Sequence, residues 1–351
     1  MSKHGNRITD NAFTADSGEN LITKALHDIE ERTEWHVSDK EKFAGVQGIY
    51  YDSQKVGSFF VEVENKKGVK GVLKLQLRPL PFDEGFIIRF IGGQIKDSTI
   101  KLPKIFLDNC WNEKDGYGFV IFEDLSRLPN LWEVMPSTQN DRENHKKFLK
   151  EFMQNILPIK EFVKKPKESF IDQLKESFAH HYNVAQHSNH RHIDDGEVQL
   201  YKEKYFNALE KLEFNDLHFT HSHLTGLDVK VDKKNNKYIL LANLYWKWRP
   251  LYYEIVFPVW NDLIRIRNEN LTLKEFLEAL DNWNHLWRSD IYDHDPTSSY
   301  QYWFTLLTFA MNTLMLDLGA SEWKEDEIKG KTVLLKIWKE FFNWIIENKL
   351  K

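Results

Sequence analysis

The feature that most constrains this chain is the stretch formed by residues 217–246, in which two short apolar runs flank a polar turn. Residues 227–231 alternate between apolar and polar side chains, which is the pattern of a half-buried strand. The turn at residues 233–237 contains two asparagines, a residue type that tolerates a positive φ. Residues 238–242 then indicate a buried strand. We therefore predict a β-hairpin that follows a polar loop rich in histidine.

This polar loop and the end of the hairpin carry side chains that can do chemistry. Their spacing resembles the catalytic region of the aminoglycoside phosphotransferase and choline kinase-like family, where His-Gly-Asp is followed by four residues, Asn, a hairpin and an Ile-Asp-Trp or Ile-Asp-Phe step. In that frame one histidine is kept and the other functional positions are altered. The matched positions are His221 for the His, Ser222 for the Gly, His223 for the catalytic Asp, Asp228 for the Asn and Asn243 for the metal-binding Asp.

Composition limits the classes of function that the chain can have. Its 351 residues suffice for one large domain or two lobes, and 29% charged with 41% hydrophobic residues is typical of a soluble globular protein. A net charge of -5 without a basic stripe argues against nucleic acid as a partner. The single cysteine, Cys110, excludes an internal disulfide and is predicted to be a small apolar filler.

The sequence contains no segment that predicts a membrane or secretory destination. The most apolar run, residues 302–316, is shorter than the roughly 20 residues of a spanning helix and includes Asn312. The polar first 20 residues lack the apolar core of a signal peptide. We therefore expect a cytoplasmic protein that has no membrane partner.

Periodicity predicts a β-rich first part and a helical second part, hence an α+β fold. Residues 1–18 are predicted to be disordered, residues 19–125 to form an N-lobe with a leading helix and an antiparallel sheet, and residues 126–351 to form a helical C-lobe that contains the hairpin at 217–246. The resemblance implies a two-lobed protein kinase-like fold. Predicted elements are helices at 19–35, 82–95, 144–162, 167–182, 198–212, 252–267, 272–288, 299–318 and 332–349, a hairpin at 58–77, and strands at 102–106 and 118–122.

In the predicted N-lobe, the resemblance implies a nucleotide site formed by Lys74, Glu84 and the backbone around Glu123. Lys74 would bind the phosphates, Glu84 would pair with it, and the segment at Glu123 would contact the base. The alternatives are a Lys74 that shares a wet strand face with Lys70, and a solvated Glu84 at a helix start, which the short spacing favours.

The resemblance also implies a magnesium site formed by Asp228 and Asn243, with the two side-chain types exchanged relative to the family. One carboxylate remains, and Mg²⁺ often needs only one or two together with phosphate oxygens. ATP and Mg²⁺ are therefore the expected cofactors. The alternative is an Asp that faces water and a buried Asn that caps a turn.

His223 stands where the resemblance places the catalytic base, and His221 where it places a histidine that packs the loop. An imidazole titrates near neutral pH and can accept a proton from a hydroxyl group. It lacks the negative charge with which an Asp orients an acceptor. The alternative is a loop histidine in an active site that has been lost.

Three further features stand outside this frame. The histidine-rich segment at 180–192 could bind a transition metal, although a solvated loop is the favoured interpretation. Tryptophans such as Trp246 and Trp248 could form a ligand platform, although core packing is favoured. Glu254 stands where the family has a structural Asp.

The altered positions lead to three hypotheses about function. We favour a degenerate phosphotransferase, a pseudokinase that binds nucleotide or a small ligand without efficient phosphoryl transfer. The first alternative is an active small-molecule kinase that uses His223 as the base. The second is a non-enzymatic scaffold that binds a protein partner.

Overall fold

The computed structural model describes residues 15–38, 44–45, 58–77, 79, 82–95, 98–131, 133, 139–156, 159–167, 169–213, 217–290 and 292–351. The helices are α1 Ala15–Arg32, α2 Glu84–Gly92, α3 Gln139–Ile156, α4 Phe170–Gln186, α5 Asp195–Glu210, α6 Tyr253–Leu263, α7 Leu273–Asp290, α8 Tyr300–Asn312 and α9 Ile328–Asn348. The strands are β1 Trp35–Val37, β2 Ala44–Gly45, β3 Ser58–Asn65, β4 Lys70–Gln76, β5 Ile100–Lys101, β6 Ile105–Asn109, β7 Gly118–Glu123, β8 Leu217–His221, β9 Val229–Asp232, β10 Lys237–Leu240 and β11 Trp246–Pro250.

These elements form two compact units. The first unit comprises the chain up to Asn130 together with Lys230–Leu244, and the second comprises Leu131–Val229 and Tyr245–Lys351. The first unit is β-rich and the second is mainly helical, so the predicted α+β class is confirmed. From the sequence, the whole hairpin at 217–246 was predicted to belong to the helical C-lobe. In the structure its second half, Lys230–Leu244, belongs to the β-rich unit.

The first unit is built on an antiparallel sheet with the strand order β1-β3-β4-β7-β6, and β2 also pairs with β3. The predicted hairpin at 58–77 is confirmed as β3 and β4. Because side chains alternate along a strand, one face of the sheet packs against α1. Leu73 and Leu75 of β4 lie in that core beside Ile22 and Ala25 of α1.

The opposite face of the same sheet carries α2. Val120 of β7 packs against Ile88 of α2 on this side. Lys74 is directly paired with Val120 in the β4–β7 register, and directly paired residues point to the same face. Lys74 therefore lies on the face that α2 covers. Gly85 suits the first turn of α2, because a Cβ there would lie 2.4 Å from the Asp108 carboxylate.

A second sheet of the first unit contains the hairpin that the sequence predicts within residues 217–246. Its order is β5-β10-β9, and β10 runs parallel to β5. The predicted turn is confirmed, and Asn236 adopts a φ of 50° there. The first predicted strand begins too early, since Gly226–Asp228 forms a 3₁₀ turn and the Leu227 side chain is 53% exposed.

The second unit contains an antiparallel ribbon, β8 with β11, that the sequence did not predict. Its register pairs His221 with Trp246 and Phe219 with Trp248, so these aromatic side chains share one face. The predicted helices of this unit are present as α3 to α9. Buried rings fill the space between them, which confirms core packing for most of the tryptophans, namely Trp246, Trp283, Trp287 and Trp303.

Some local predictions are wrong or fall outside the described residues. The first helix begins at Ala15, four residues before its predicted start, and the rest of the predicted disordered segment is not among the described residues. The histidine-rich segment is not wholly a loop, because α4 includes His180 and His181. Cys110 is exposed and is not an apolar filler.

Within the described ranges, none of the helices combines the length and the low charge that crossing a membrane requires.

Candidate functional site

The first unit holds a buried ion pair between Lys74 and Glu84. The two side chains are 11% and 7% exposed, and the ammonium group bonds the Oε2 atom of Glu84. Glu84 lies in the first turn of α2, where the helix dipole favours a carboxylate. The expectation of a solvated Glu84 is therefore wrong, because α2 packs on the sheet face that carries Lys74.

The backbone of the hairpin completes this arrangement. The N–H group of Asn243 donates to the Oε1 atom of Glu84 at 3.3 Å. Each carboxylate oxygen of Glu84 thus has a donor, one from a side chain and one from the main chain. The carboxylate is held from two directions, and it in turn fixes the position of the Lys74 ammonium group.

Asn243 itself is buried, with 1% of its surface exposed. Its Nδ2 atom donates to the carbonyl oxygen of Leu240 at 3.0 Å. The side chain thereby closes the turn that follows β10. This contact corresponds to the alternative in which a buried Asn caps a turn, and it uses the amide nitrogen and not the oxygen that would bind a metal ion.

Glu123 is the last residue of β7 and bonds Lys104, the residue before the outer strand β6. Its N–H group donates to the carbonyl oxygen of Lys104 at 2.9 Å, and its Oε1 atom accepts from the N–H group of Lys104 at 2.8 Å. Both groups are therefore used between β6 and β7. The role of Glu123 in binding a nucleotide stays a prediction, and it would have to use another backbone group of this segment.

In the second unit, β8 leads directly into the histidine loop. His221 is fully buried and contacts the edge of Trp246, with the ring centroids 5.4 Å apart. Its Nδ1 atom accepts the N–H group of His223 at 3.3 Å. His221 therefore packs under the loop against Trp246 and bonds its backbone at His223, as the resemblance implies for a packing histidine.

Ser222 connects the loop to the start of β11. Its N–H and hydroxyl groups both donate to the carbonyl oxygen of Tyr245, at 2.9 and 2.7 Å. This double contact holds the Tyr245 ring next to the loop. The ring stacks on the imidazole of His223, with centroids 4.6 Å apart and planes 22° from parallel.

His223 and Asp228 bind each other. The Nδ1 atom of His223 lies 2.8 Å from the Oδ2 atom of Asp228. Their side chains are 40% and 15% exposed, so the imidazole reaches solvent while the carboxylate is mostly covered. The two residues that the resemblance assigns to catalysis and to metal binding thus form one hydrogen-bonded pair.

Thr225 completes this pair through a capping box. Its N–H and hydroxyl groups donate to the Oδ2 atom of Asp228 at 3.2 and 2.7 Å, and its hydroxyl oxygen accepts the N–H group of Leu227. The Oδ2 atom consequently has three donors. The sequence offered a signal for this contact, because Thr225-x-x-Asp228 matches the Ser/Thr-x-x-Asp/Glu capping pattern.

The two residues at the predicted metal positions both contact protein groups, and their role in holding magnesium stays a prediction. Mg²⁺ prefers open carboxylate oxygens and keeps several waters. The Oδ2 atom of Asp228 accepts three hydrogen bonds, and the buried Asn243 donates its amide nitrogen to Leu240, which is not the oxygen that would bind a metal ion. Among the described residues, one group of three His, Asp or Glu side chains lies close enough together to hold a metal ion, namely His27, Asp28 and Glu31 of α1. This group includes none of the predicted site residues.

The histidine-rich segment does not form a metal centre in the described parts of the chain. His181 contacts Asn312, and His187 contacts the carbonyl oxygen of Asn183. His192 stacks on Trp323 with centroids 3.6 Å apart. These histidines bind separate protein groups.

A second imidazole–carboxylate pair lies where β8 meets α6. Glu254 has no exposed surface and accepts from the Nε2 atom of His218 and from the hydroxyl group of Tyr292, both at 2.7 Å. Burial alone would lower the pKa of His218, but the charge and hydrogen bond of Glu254 outweigh it and raise that pKa. Burial would raise the pKa of Glu254, yet His218 and the Tyr292 hydrogen bond bring it below its usual value.

Comparisons with known proteins identify the fold. No protein-family model matches the sequence, and no curated protein matches it. A solved amicoumacin kinase, in complex with AMP-PNP, Ca²⁺ and its ligand, is similar at a TM-score of 0.56 and 11% identity, over 95% of this chain and 96% of that chain. Spectinomycin phosphotransferase, in complex with ADP and spectinomycin, is similar at a TM-score of 0.51 and 12% identity, over 93% and 96%.

At such low identity these likenesses concern the fold, and they agree with the resemblance seen in the sequence. The chain therefore has the α+β fold of the kinase-like aminoglycoside phosphotransferases, with a β-rich N-terminal region and a helical C-terminal region.

Proposed function

We propose that the protein binds a nucleotide of the ATP class through Lys74 and is a degenerate phosphotransferase that transfers phosphoryl groups inefficiently. The observation that carries the proposal is the buried pair of Lys74 and Glu84 on the α2 face of the sheet. A fixed ammonium group is what phosphoryl transfer requires for the nucleotide phosphates. The similar amicoumacin kinase is bound to AMP-PNP, which supports the same class of ligand for this fold.

The energetics of the pair favour a binding role. Removing two charges from water is expensive, and a buried ion pair stabilises a fold little compared with apolar side chains of the same size. Here a backbone N–H group is added to hold Glu84 in place. Such an arrangement costs stability but fixes a cation, which is useful when a charged ligand must be bound in one geometry.

Inefficient transfer follows from the metal positions. Kinases depend on Mg²⁺ to bridge the phosphates and neutralise developing charge. At these two positions the Oδ2 atom of Asp228 is taken up by three hydrogen-bond donors, and an Asn, Asn243, stands where the family has its metal-binding carboxylate. We therefore expect nucleotide binding that depends little on Mg²⁺.

Thermal unfolding with ATP tests the proposal. A ligand at about 100 times its dissociation constant adds roughly 2.7 kcal/mol of stability, which gives a measurable rise in Tm. We expect this rise in the wild type and its loss in Lys74→Met. Lys70→Met is the matched control, since Lys70 lies on the same strand and face but is exposed, and it should keep the rise.

Each variant is compared with its own ligand-free Tm, so that lost stability is not mistaken for lost binding. Isothermal calorimetry provides a second measure of affinity. The proposal is wrong if millimolar ATP leaves the wild-type Tm unchanged, or if Lys74→Met binds as tightly as the wild type. A large rise that requires Mg²⁺ would contradict the degenerate metal site.

A second candidate function is an active small-molecule kinase, and the contact between His223 and Asp228 favours it. An imidazole oriented by a carboxylate can act as a general base. This candidate predicts that His223→Ala abolishes transfer to a hydroxyl acceptor while ATP still raises Tm. Transfer that survives in His223→Ala would remove His223 from the mechanism.

A further inference from the structure

The β8–β11 ribbon of the second unit has a polar face opposite the face that carries its aromatic side chains. His218 of β8 is directly paired with Arg249 of β11, and Thr220 is directly paired with Lys247. Directly paired residues point to the same face of a sheet, and residues two apart on a strand do so as well. These four side chains therefore share one face, which we call the polar face of the ribbon.

Three buried polar atoms on this face have no hydrogen-bond partner in the part of the chain that the structure describes. They are the Nδ1 atom of His218, the hydroxyl oxygen of Thr220 and the Nε atom of Arg249. Thr220 has no exposed surface at all. Buried polar groups are nearly always paired, because an unpaired one has lost its contact with water and gained nothing in return. Three such atoms on one face of a short ribbon indicate a group that these side chains bind.

Arg249 also has no counter-charge in contact with it. Its partly buried guanidinium group lies over the ring of Tyr253, 4.7 Å from the centroid, and forms no ion pair with any of the described residues. The carboxylate of Glu254 packs against the same face, but it accepts hydrogen bonds from His218 and from Tyr292. A charge that is removed from water needs a partner. The polar face therefore carries a positive charge that no neighbouring carboxylate balances by direct contact.

The donors on this face match the acceptors of an oxyanion. A guanidinium group presents its N–H groups in a planar fork that fits two oxygens of a phosphate or carboxylate group. The hydroxyl group of Thr220 can donate to the same ligand, and the Nδ1 atom of His218 can do so when the imidazole is charged. A buried water molecule could pair with some of these atoms, but it would leave the charge of Arg249 unbalanced.

We propose that the polar face of the β8–β11 ribbon is a binding site for an oxyanion, a phosphate or carboxylate group, which Arg249 and Thr220 hold. The resemblance to the phosphotransferases assigns no role to either residue. The site lies in the second unit, so the proposal goes beyond nucleotide binding by Lys74 and does not rest on it.

Thermal unfolding with sodium phosphate or sodium acetate, at one ionic strength set with sodium chloride, tests this site. Phosphate stabilises many proteins without specific binding, so the rise in Tm is compared between variants. We expect Arg249→Met to lose part of the rise and to lower the affinity measured by calorimetry about tenfold or more. An effect that depends on Arg249 supports the proposal with either salt, and the two series show whether the site takes a phosphate or a carboxylate group.

Lys247→Met is the matched control, since Lys247 lies on the same strand and the same face but is exposed, and it should bind as the wild type does. Thr220→Val replaces the buried hydroxyl group with a methyl group of similar shape and should weaken binding while Arg249 remains. Lys74→Met should keep the affinity for phosphate, which separates this site from the proposed nucleotide site.

NMR of the arginine Nε–H groups in ¹⁵N-labelled protein reads the same site without removing the side chain, and it decides the matter if Arg249→Met does not fold. Arg249→Lys identifies the signal of Arg249. This signal should move during the titration with phosphate or acetate and stop moving at saturation. The proposal is overturned by an Arg249 signal that neither anion moves, by one that chloride moves equally, or by Arg249→Met that binds both anions as tightly as the wild type.

Discussion

The Lys74–Glu84 pair of the first unit and the histidine loop of the second unit are the two sets of candidate residues, and they are built differently. Lys74 and Glu84 come from a strand and a helix, and their contact depends on how those elements pack. His223 and Asp228 are five residues apart and meet within one turn. The first arrangement keeps the side-chain types that the resemblance implies, whereas the second replaces them.

This difference distinguishes a contact made between packed elements from a contact made within one turn. A pair formed between packed elements is hard to alter, because a new partner would have to fit an existing interface. A local turn can exchange side chains if they satisfy each other, as Thr225, His223 and Asp228 do. The residues at the altered positions of this loop contact one another.

The largest expected effect is on the packed pair. Glu84→Ala leaves the ammonium group of Lys74 buried without its carboxylate, and breaking a buried pair in this way costs about 3–5 kcal/mol. Urea unfolding should show this loss as a lower midpoint. Glu62→Ala on the exposed side of β3 is the control and should change stability by less than about 0.5 kcal/mol. A loss similar to the control would mean that Lys74 is solvated in solution.

A smaller effect is expected on the pH dependence of stability, to which the pair of His218 and Glu254 contributes. The pKa of His218 is raised above its ordinary 6.5, so its pair with Glu254 contributes full stability below pH 6.5 and loses it as pH rises through the folded-state pKa. The pKa of Glu254 is lowered from 4.5, so the contribution is lost at the acid end only below that value. The pair is therefore most effective between these limits.

Chemical unfolding from pH 6 to 9 measures this dependence. One proton changes stability by at most about 1.4 kcal/mol per pH unit, and His218→Gln should remove that slope from the difference between wild type and variant. A stability difference that is independent of pH would show that His218 is neutral in the folded protein.

The smallest expected effect concerns the cap in the loop. Thr225→Val removes the hydroxyl group that binds both Leu227 and Asp228, and loss of such a cap costs about 1 kcal/mol. Thermal unfolding measures the loss. Thr272→Val removes a similar cap at the start of α7, where Glu275 takes the place of Asp228. Thr225→Val should also change the ¹⁵N NMR signals of His223, because Thr225 and His223 both bond Asp228, whereas Thr272→Val should not. A change of the His223 signals in both variants would contradict a specific contact of Thr225 with this loop.

Much of the fold was predictable because its signals are local. Alternation found the hairpin of β3 and β4, and an asparagine turn found the one between β9 and β10. Helical periodicity found the helices of the second unit. The β8–β11 ribbon was missed, since residues 217–221 and 246–250 are separated by the hairpin and their pairing has no local signature.

The contacts of the candidate residues were less predictable than the elements that carry them. Spacing identified Lys74, His223, Asp228 and Asn243, while the partner of Glu84 was judged wrongly from its short sequence distance. Lys74 and Glu84 meet although they are only ten residues apart, because α2 packs directly on the sheet face that carries Lys74. The metal-binding role of Asp228 and Asn243 stays a prediction, and spacing did not predict their contacts with His223 and Leu240.

The sequence by itself determined the order of elements, the turns and the residue types at each functional position, because these depend on neighbours within a few residues. Tertiary structure alone decided that Lys74 is buried against Glu84, that Tyr245 lies on His223, and that Glu254 is enclosed by His218 and Tyr292. Such contacts depend on which faces of distant elements meet. That choice is made by the packing of the whole unit and leaves no periodic trace in the chain.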